Sequence, residues 1–143
     1  MNDQTRGELS DSFARMCALS GLNPLLGRLY AAVFLEADPV SLGGLCEAVG
    51  AAKSTVSVAI RKMEASGAVV RVYKPGDRRD YYAATSDPMT VLTGWHREHL
   101  ERELAIWKTV SGDVQKDICP DVIARRMKGM TQAAQRLGAL LHV

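Results

Sequence analysis

The sequence predicts a mostly α-helical protein with one small β-hairpin. Apolar residues recur every three or four positions in six segments, which is the periodicity of amphipathic helices. Several of these segments begin at a capping residue or a proline and end at a glycine. The helical period is lost over residues 68–84, where β-branched and aromatic residues flank the turn Lys74-Pro75-Gly76-Asp77.

Two helices are predicted before residue 40. The first covers residues 7–19 and ends at Gly21. Its apolar face comprises Leu9, Phe13 and Met16. The second begins at Asn23-Pro24, a capping side chain followed by a proline at the first helical position, and continues to about residue 36. It is apolar over most of its surface, so we expect it at the centre of the core.

A pair of shorter helices joined by a tight turn follows. The first begins after the capping residue Ser41 and ends at Gly50. The second covers residues 53–66 and ends at Gly67, which is placed for the left-handed conformation. Its predicted buried stripe is Val56, Ile60 and Met63. A tight turn sets such helices at a steep angle, so that the second can enter the major groove of DNA.

The predicted hairpin pairs residues 68–73 with residues 79–84 and has a basic tip. Although the net charge of the chain is only +2, seven basic and three acidic residues lie between Lys53 and Asp80. A local positive excess is typical of a surface that meets a phosphate backbone, but alone it more often marks a solvated face. Its position on the short helix pair and the hairpin favours nucleic-acid binding.

The predicted DNA contacts lie on the exposed face of the second short helix and at the hairpin tip. They are Lys53, Ser54, Thr55, Ser57, Arg61, Lys74, Arg78 and Arg79. Short hydroxyl side chains permit close approach to phosphates and base edges, and a helix N-terminus attracts phosphate. Arginine at a hairpin tip is favoured along the DNA backbone or in the minor groove.

Less specific interpretations of these residues stay open. Ser54 and Thr55 could simply cap their helix. Arg78 and Arg79 could be solvated charges. Asp77 and Asp80 could orient the arginines by ion pairing instead of contacting DNA.

The amino-acid sequences of several segments resemble those of a known protein family. Residues 53–57 (Lys-Ser-Thr-Val-Ser) and 61–67 (Arg-Lys-Met-Glu-Ala-Ser-Gly) resemble MarR-type repressors. Residues 75–82 (Pro-Gly-Asp-Arg-Arg-Asp-Tyr-Tyr) and 21–28 are similar to the GbsR-like branch of that group. The resemblance covers roughly residues 20–87. It implies a winged helix-turn-helix core and dimerisation through the terminal helices.

Two further helices are predicted after the hairpin. One begins at Asp87-Pro88 and ends near residue 110, with interruptions at Gly112 and Pro120. One of its faces carries Leu92, His96, Leu100, Leu104 and Trp107. The last helix, residues 121–141, carries apolar residues at alternating spacings of four and three, which is a heptad seam.

The resulting domain prediction has three parts. Residues 1–20 form an N-terminal dimerisation helix, residues 21–87 the DNA-binding domain, and residues 88–143 the C-terminal dimerisation helices. The predicted dimerisation residues are Leu9, Phe13, Ile123, Met127, Met130, Ala134, Leu137 and Leu141. A heptad stripe alone is more often intramolecular packing. Here the core already has its own apolar stripes, so a symmetric partner is favoured.

Together these features predict a cytoplasmic, homodimeric transcriptional regulator of double-stranded DNA with a roughly palindromic operator. Repression, with release by a small ligand as one option, is favoured over activation. The alternatives are a winged-helix protein–protein module without DNA binding, and a metal- or redox-responsive regulator. No membrane segment, cofactor or metal is predicted, and the absence of known catalytic motifs predicts that the protein is not an enzyme.

Some residues could support the sensor alternative or an effector site. His96, His99 and Glu103 share a helical face that could hold a metal with help from another chain, but a simple polar face is favoured. The cysteines Cys17, Cys46 and Cys119 lack metal or disulfide spacing and are expected to be buried thiols. Tyr30, Trp95 and Trp107 could line an effector pocket, although packing is the more ordinary role of such residues.

Overall fold

A computed structural model of the chain describes residues 1–85, 88–114 and 120–141. In chain order these residues form α1 (Asp3–Leu19), α2 (Pro24–Phe34), β1 (Val40–Ser41), α3 (Leu42–Val49), α4 (Lys53–Ala65), β2 (Val69–Val72), β3 (Tyr81–Ala84), α5 (Pro88–Val114) and α6 (Asp121–Leu140). They divide into two compact units, Met1–His96 and Arg97–Val143. The architecture is the predicted one, mostly helical with one small sheet.

The helix boundaries follow from side-chain caps and glycines. Asn23 accepts a hydrogen bond from the Leu25 N–H at 3.0 Å and begins α2, as predicted. Ser41 likewise accepts from the Gly44 N–H at 3.1 Å and begins α3. Gly50 ends α3 with a φ of 65°, a conformation that side chains with a Cβ rarely adopt.

The N-terminal helix is longer than the sequence pattern predicts. It begins at Asp3 because Asn2 accepts a hydrogen bond from the Thr5 N–H at 2.8 Å and caps the helix. The apolar periodicity used for the prediction starts only at Leu9, so it could not reveal this polar first turn.

The sheet contains three antiparallel strands in the order β1-β3-β2. The hairpin β2–β3 was predicted, whereas β1 was not, because a two-residue strand has no periodicity to detect. β1 pairs Val40 with Tyr82 and Ser41 with Tyr81. Next to this pairing, the Leu42 N–H donates to the Asp80 carbonyl at 3.2 Å. The first turn of α3 is therefore anchored to the base of the hairpin.

The core of the first unit is built mainly from α2, α3, α4 and the sheet. Val56, Ile60 and Met63 are buried, which confirms the predicted stripe of α4. They join Leu29 and Leu45, whose side chains have no exposed surface. Burying aliphatic side chains of this size contributes about 1.5–3 kcal/mol each, so this cluster fixes the orientation of α4.

The helices α1 and α2 approach each other closely at Gly27. An added Cβ there would lie 2.3 Å from the Phe13 carbonyl oxygen and 2.5 Å from the Ala14 nitrogen. The Phe13 ring packs against Tyr30 and Phe34 with centroid distances of 5.2 and 5.7 Å. Phe13, predicted as a dimerisation residue, thus belongs at least partly to the packing within one chain.

Two details of the predicted α5 were wrong. The helix does not end near residue 110 but continues through Gly112 to Val114, because a single helical glycine costs only about 1 kcal/mol. In the first unit its buried side chains are Val91 and Trp95, whereas His96, predicted on the apolar face, is exposed. Asp87, its predicted cap, and the side chain of Leu92 lie outside the described residues.

The last helix, α6, matches its predicted extent within one residue and has no buried side chain in the single chain. Among the residues described, no helix is both long and apolar enough to cross a bilayer.

Candidate nucleic-acid interface

The first part of the site is the N-terminal face of α4. Lys53, Ser54, Thr55 and Arg61 are exposed, and Ser57 is half-buried. This exposure follows from the local sequence, since the stripe Val56, Ile60 and Met63 turns the opposite face into the core. The predicted polar face therefore points to solvent.

The hydroxyls of α4 do not serve as helix caps. The cap position is Ala52, which offers no side-chain hydrogen bond. Ser54 and Thr55 have no hydrogen-bond partner within the described part of the chain. The capping interpretation of these two residues is therefore wrong, and their hydroxyls are free to bind an external group. Arg61 is held near the helix surface, where its Nε donates to the Ser57 carbonyl at 3.1 Å.

The second part is the tip of the β2–β3 hairpin. The Asp77 N–H donates to the Lys74 carbonyl at 3.1 Å, with Pro75 next in the turn and Gly76 at a φ of 77°. Proline followed by a residue with positive φ is the pattern of a type II turn. This turn positions Lys74, Arg78 and Arg79 around the tip.

Asp77 organises the tip by ion pairing. Its carboxylate accepts from the Arg79 backbone N–H at 2.9 Å, from Arg79 Nε at 3.1 Å and from Arg79 Nη2 at 2.9 Å. It also accepts from the Tyr81 hydroxyl at 2.7 Å. The bonds from Arg79 and Tyr81 hold the pKa of the Asp77 carboxyl well below its usual range. This confirms that Asp77 orients an arginine: Arg79 is ion-paired, while 71% of its side chain stays exposed.

The remaining cations of the tip are arranged differently. Lys74 is half-buried and places its Nζ 3.9 Å from the centre of the Tyr81 ring, a cation–π contact. Arg78 is exposed and has no ion pair or hydrogen bond with any described residue. Of the two arginines at the tip, Arg78 is the one whose charge is available to a phosphate without breaking an internal contact.

A polar helix face and a basic hairpin on one compact unit are the two elements with which winged-helix proteins contact DNA. The MarR family model matches residues 20–80, the segment that contains both. The chain is also similar to the HTH-type transcriptional repressor GbsR of Bacillus subtilis (strain 168), with 24% identity over 130 residues, 88% of this chain and 72% of the relative.

A solved crystal structure described as a transcriptional regulator has the same fold. It superposes with a TM-score of 0.69 at 19% identity and covers 96% of this chain and 93% of its own. Residues 20–80 thus resemble the MarR family, and the order of helices and hairpin is that of a winged helix-turn-helix. The similarity to GbsR agrees with the branch that residues 75–82 suggested.

All eight predicted DNA contacts lie on α4 or on the wing, the hairpin β2–β3 with its connecting tip. Sequence reasoning missed two residues of this surface. Val58 on α4 is 53% exposed, although apolar periodicity gave no reason to expect an outward valine. Arg71 on β2 forms ion pairs with both Glu64 and Asp80, which required knowledge of the strand register.

The residues predicted for dimerisation are mostly accessible. On α6, Ile123, Met130 and Leu137 are 36%, 55% and 46% exposed, and Met127, Ala134 and Leu141 are half-buried. On α1, Leu9 and Phe13 are half-buried. Among the described residues, the predicted α6 stripe therefore stays partly exposed in the single chain, most of all at Met130 and Leu137.

The residues of the sensor alternative are placed in ordinary roles. His96 Nδ1 lies 3.3 Å from the Ser20 hydroxyl, and His99 Nε2 lies 3.3 Å from Glu103 Oε1. The described residues hold no group of three metal-ligating side chains. Cys17 is buried as predicted, Cys46 is only half-buried, and Cys119 lies outside the described residues.

The aromatic residues considered for an effector site show packing in the first unit. Tyr30 and Trp95 are buried and meet edge to face with a centroid distance of 5.5 Å. Trp107 is half-buried in the second unit. The first pair therefore fills core volume.

Proposed function

We propose that this protein is a dimeric transcriptional repressor that binds a roughly palindromic double-stranded DNA site. The observation that carries the proposal is the exposed N-terminal face of α4, whose Ser54 and Thr55 hydroxyls have no partner among the described residues. Hydroxyls in that position can donate to and accept from base edges while the helix N-terminus faces phosphate. Repression is proposed from the similarity to GbsR, which is named a repressor.

The two parts of the surface have different tasks in this proposal. Residues of α4 read base edges in the major groove, with Arg61 able to reach a guanine or a phosphate. Arg78 contacts the backbone or the minor groove and adds affinity for any sequence. Arg79 acts mainly by holding the tip together with Asp77. From the sequence alone, by contrast, a direct DNA contact is predicted for both Arg78 and Arg79.

A second copy of the chain is the proposed cover of the α6 stripe. A heptad seam with exposed Met130 and Leu137 has the form of one side of a helical interface. Two copies related by a twofold axis would present two recognition helices to half-sites one helical turn, or a multiple of it, apart. A DNA regulator acts where the DNA is, so we place the protein in the cytoplasm. Release by a small-molecule effector stays a prediction.

The DNA proposal is tested by selecting duplexes from a random pool and measuring affinity for the selected duplex at several salt concentrations. We expect Thr55→Val to change the selected sequence. Arg78→Ala should weaken binding to every duplex and make the slope of log affinity against log salt about 0.9 less steep, the contribution of one phosphate contact. Arg102→Ala, which removes an exposed arginine of α5, is the matched control.

Failure to select any sequence, combined with no binding to random duplex at low salt, would refute the DNA proposal. It would favour the protein–protein module instead. An unchanged selected sequence for Thr55→Val would remove that residue from base recognition.

The dimer is tested by sedimentation equilibrium of Met130→Glu. A charge in the seam should shift the population towards monomer, because an unpaired carboxylate is costly to bury at an interface. Gln132→Glu adds the same charge to the opposite side of α6 and should leave the population unchanged. Equal behaviour of the two variants would show that the seam is not the interface.

A further inference from the structure

We infer that Arg71 is a positioning residue that fixes the wing relative to the recognition helix α4 and thereby supports sequence discrimination. The inference rests on the proposed DNA-binding function. Arg71 lies in β2 at the base of the wing, and its Nη2 is 3.4 Å from Glu64 Oε2 of α4. Its Nη1 is 3.6 Å from Asp80 Oδ1, which precedes β3.

The position of Arg71 is defined by more than these two carboxylates. Arg71 faces Tyr82 in the strand register, and its guanidinium lies 5.8 Å from the centre of the Tyr82 ring. Tyr82 is buried in the core, so the ring is a fixed surface. A planar guanidinium can bind two carboxylates and rest on an aromatic ring at once, which a lysine ammonium cannot reproduce.

Asp80 extends the connection from α4 and the wing to a third element, the helix α3. While its carboxylate pairs with Arg71, its carbonyl accepts the Leu42 N–H that begins α3. Arg71 and Asp80 together therefore join α3, α4 and the wing at one point. The Arg71 side chain is only 32% exposed and is engaged by both carboxylates, so it is not placed as a phosphate ligand.

A residue with this role affects specific and non-specific binding differently. Non-specific binding needs only positive charge near the backbone, whereas base readout needs α4 and the wing to engage the same half-site together. Loss of Arg71 should therefore reduce discrimination more than general affinity. Loss of a phosphate ligand would weaken both classes of duplex alike.

The test uses Arg71→Met, which keeps most of the side-chain stem and removes the charge, in the full-length protein. The probes are the duplex selected by the wild-type protein and a random duplex of equal length. We expect affinity for the selected duplex to fall about tenfold, affinity for random duplex to fall less than about twofold, and the salt slope to stay within about 0.3 of wild type. Arg71→Lys should restore only part of the discrimination.

A double-mutant cycle identifies the partner. If Arg71 acts through Glu64, the double variant Glu64→Gln, Arg71→Met should discriminate no worse than the worse single variant. Arg102→Met, which breaks the exposed Arg102–Glu98 pair of α5, is the matched control and should leave discrimination unchanged.

The outcomes separate the inference from the function on which it rests. A parallel loss of affinity for both duplexes with a salt slope about 0.9 less steep would make Arg71 a phosphate ligand and overturn the inference. Unchanged discrimination in a folded Arg71→Met protein, with or without a lower Tm, would overturn it too and assign the residue to stability alone. If the wild-type protein selects no sequence, the proposed function itself fails.

Discussion

The close approach of α1 and α2 at Gly27 allows the cost of a single methyl group to be worked out. In Gly27→Ala the new Cβ would lie 2.3 Å from the Phe13 carbonyl oxygen and 2.4 Å from its carbon. Ordinary contacts of this kind lie near 3.5 Å, so the helices must separate by roughly 1 Å. The obstructing atoms are backbone, which cannot rotate away.

Overpacking of this severity costs roughly 3 kcal/mol, and replacing a helical glycine by alanine returns about 1 kcal/mol. We therefore expect Gly27→Ala to lower the free energy of unfolding by about 2 kcal/mol. In a chain of this length that corresponds to a fall in Tm of roughly 6 °C. Thermal unfolding followed by circular dichroism at one fixed protein concentration is the appropriate assay, because dimerisation would make Tm concentration-dependent.

The matched control lies in the partner helix. Gly7 is in α1, and a Cβ there would meet nothing within 4 Å. Gly7→Ala should raise the stability by up to about 1 kcal/mol, since only the helix preference changes. If Gly27→Ala proved as stable as Gly7→Ala, the close packing of α1 on α2 described above would be incorrect.

Two further predictions concern titratable groups. Bonds from Arg79 and Tyr81 hold the pKa of Asp77 below its usual value, so this carboxylate stabilises the fold above about pH 4 and loses its effect as the pH falls through the lowered pKa. The urea midpoints of wild type and Asp77→Asn should accordingly differ at pH 6, and the difference should narrow progressively as the pH falls below about 4. A difference that stays constant with pH would contradict the role of the charge. Burial raises the pKa of the Cys17 thiol to about 11, and a backbone hydrogen bond with Gly27 offsets only part of this effect. In the native protein, an alkylating reagent should modify Cys17 at least about 100-fold more slowly than Cys46, as measured by peptide mass spectrometry, and the two rates should be similar in denaturant. Rapid modification of Cys17 in the native protein would disprove its burial.

The sequence was sufficient to predict the helices that have strong local signals. Asn23-Pro24, Ser41 and Gly50 act through atoms within three or four residues of themselves, so their effects could be predicted without any tertiary knowledge. β1 escaped prediction because its existence depends on pairing with Tyr81 and Tyr82, about 40 residues away. Gly112 was overinterpreted, since a glycine weakens a helix without necessarily ending it.

In the candidate site, too, features set by local sequence could be predicted, whereas features set by distant contacts could not. The exposed face of α4 followed from the apolar stripe that defines its opposite face. The different states of Arg78 and Arg79 could not be predicted from their identical chemistry, because they depend on which guanidinium the turn brings to Asp77. Arg71 was counted as one more basic residue, and only the register against Tyr82 and the proximity of Glu64 show that its charge is used internally.

The central position of β3 in the sheet limits how the reach of the wing can change. A one-residue slip of β3 would break its pairing with both β1 and β2. It would also move the buried side chains of Tyr81 and Tyr82 to the opposite faces of the sheet. At the tip, a Cβ at Gly76 would meet nothing within 4 Å, and the bonds of Asp77 to Arg79 and Tyr81 fix only the local shape of the turn. Insertions in the turn should therefore cost less stability than insertions in the strands, because they leave the pairing of β3 unchanged. A longer turn would extend the proposed DNA-contacting tip without altering how α3, α4 and the sheet pack together.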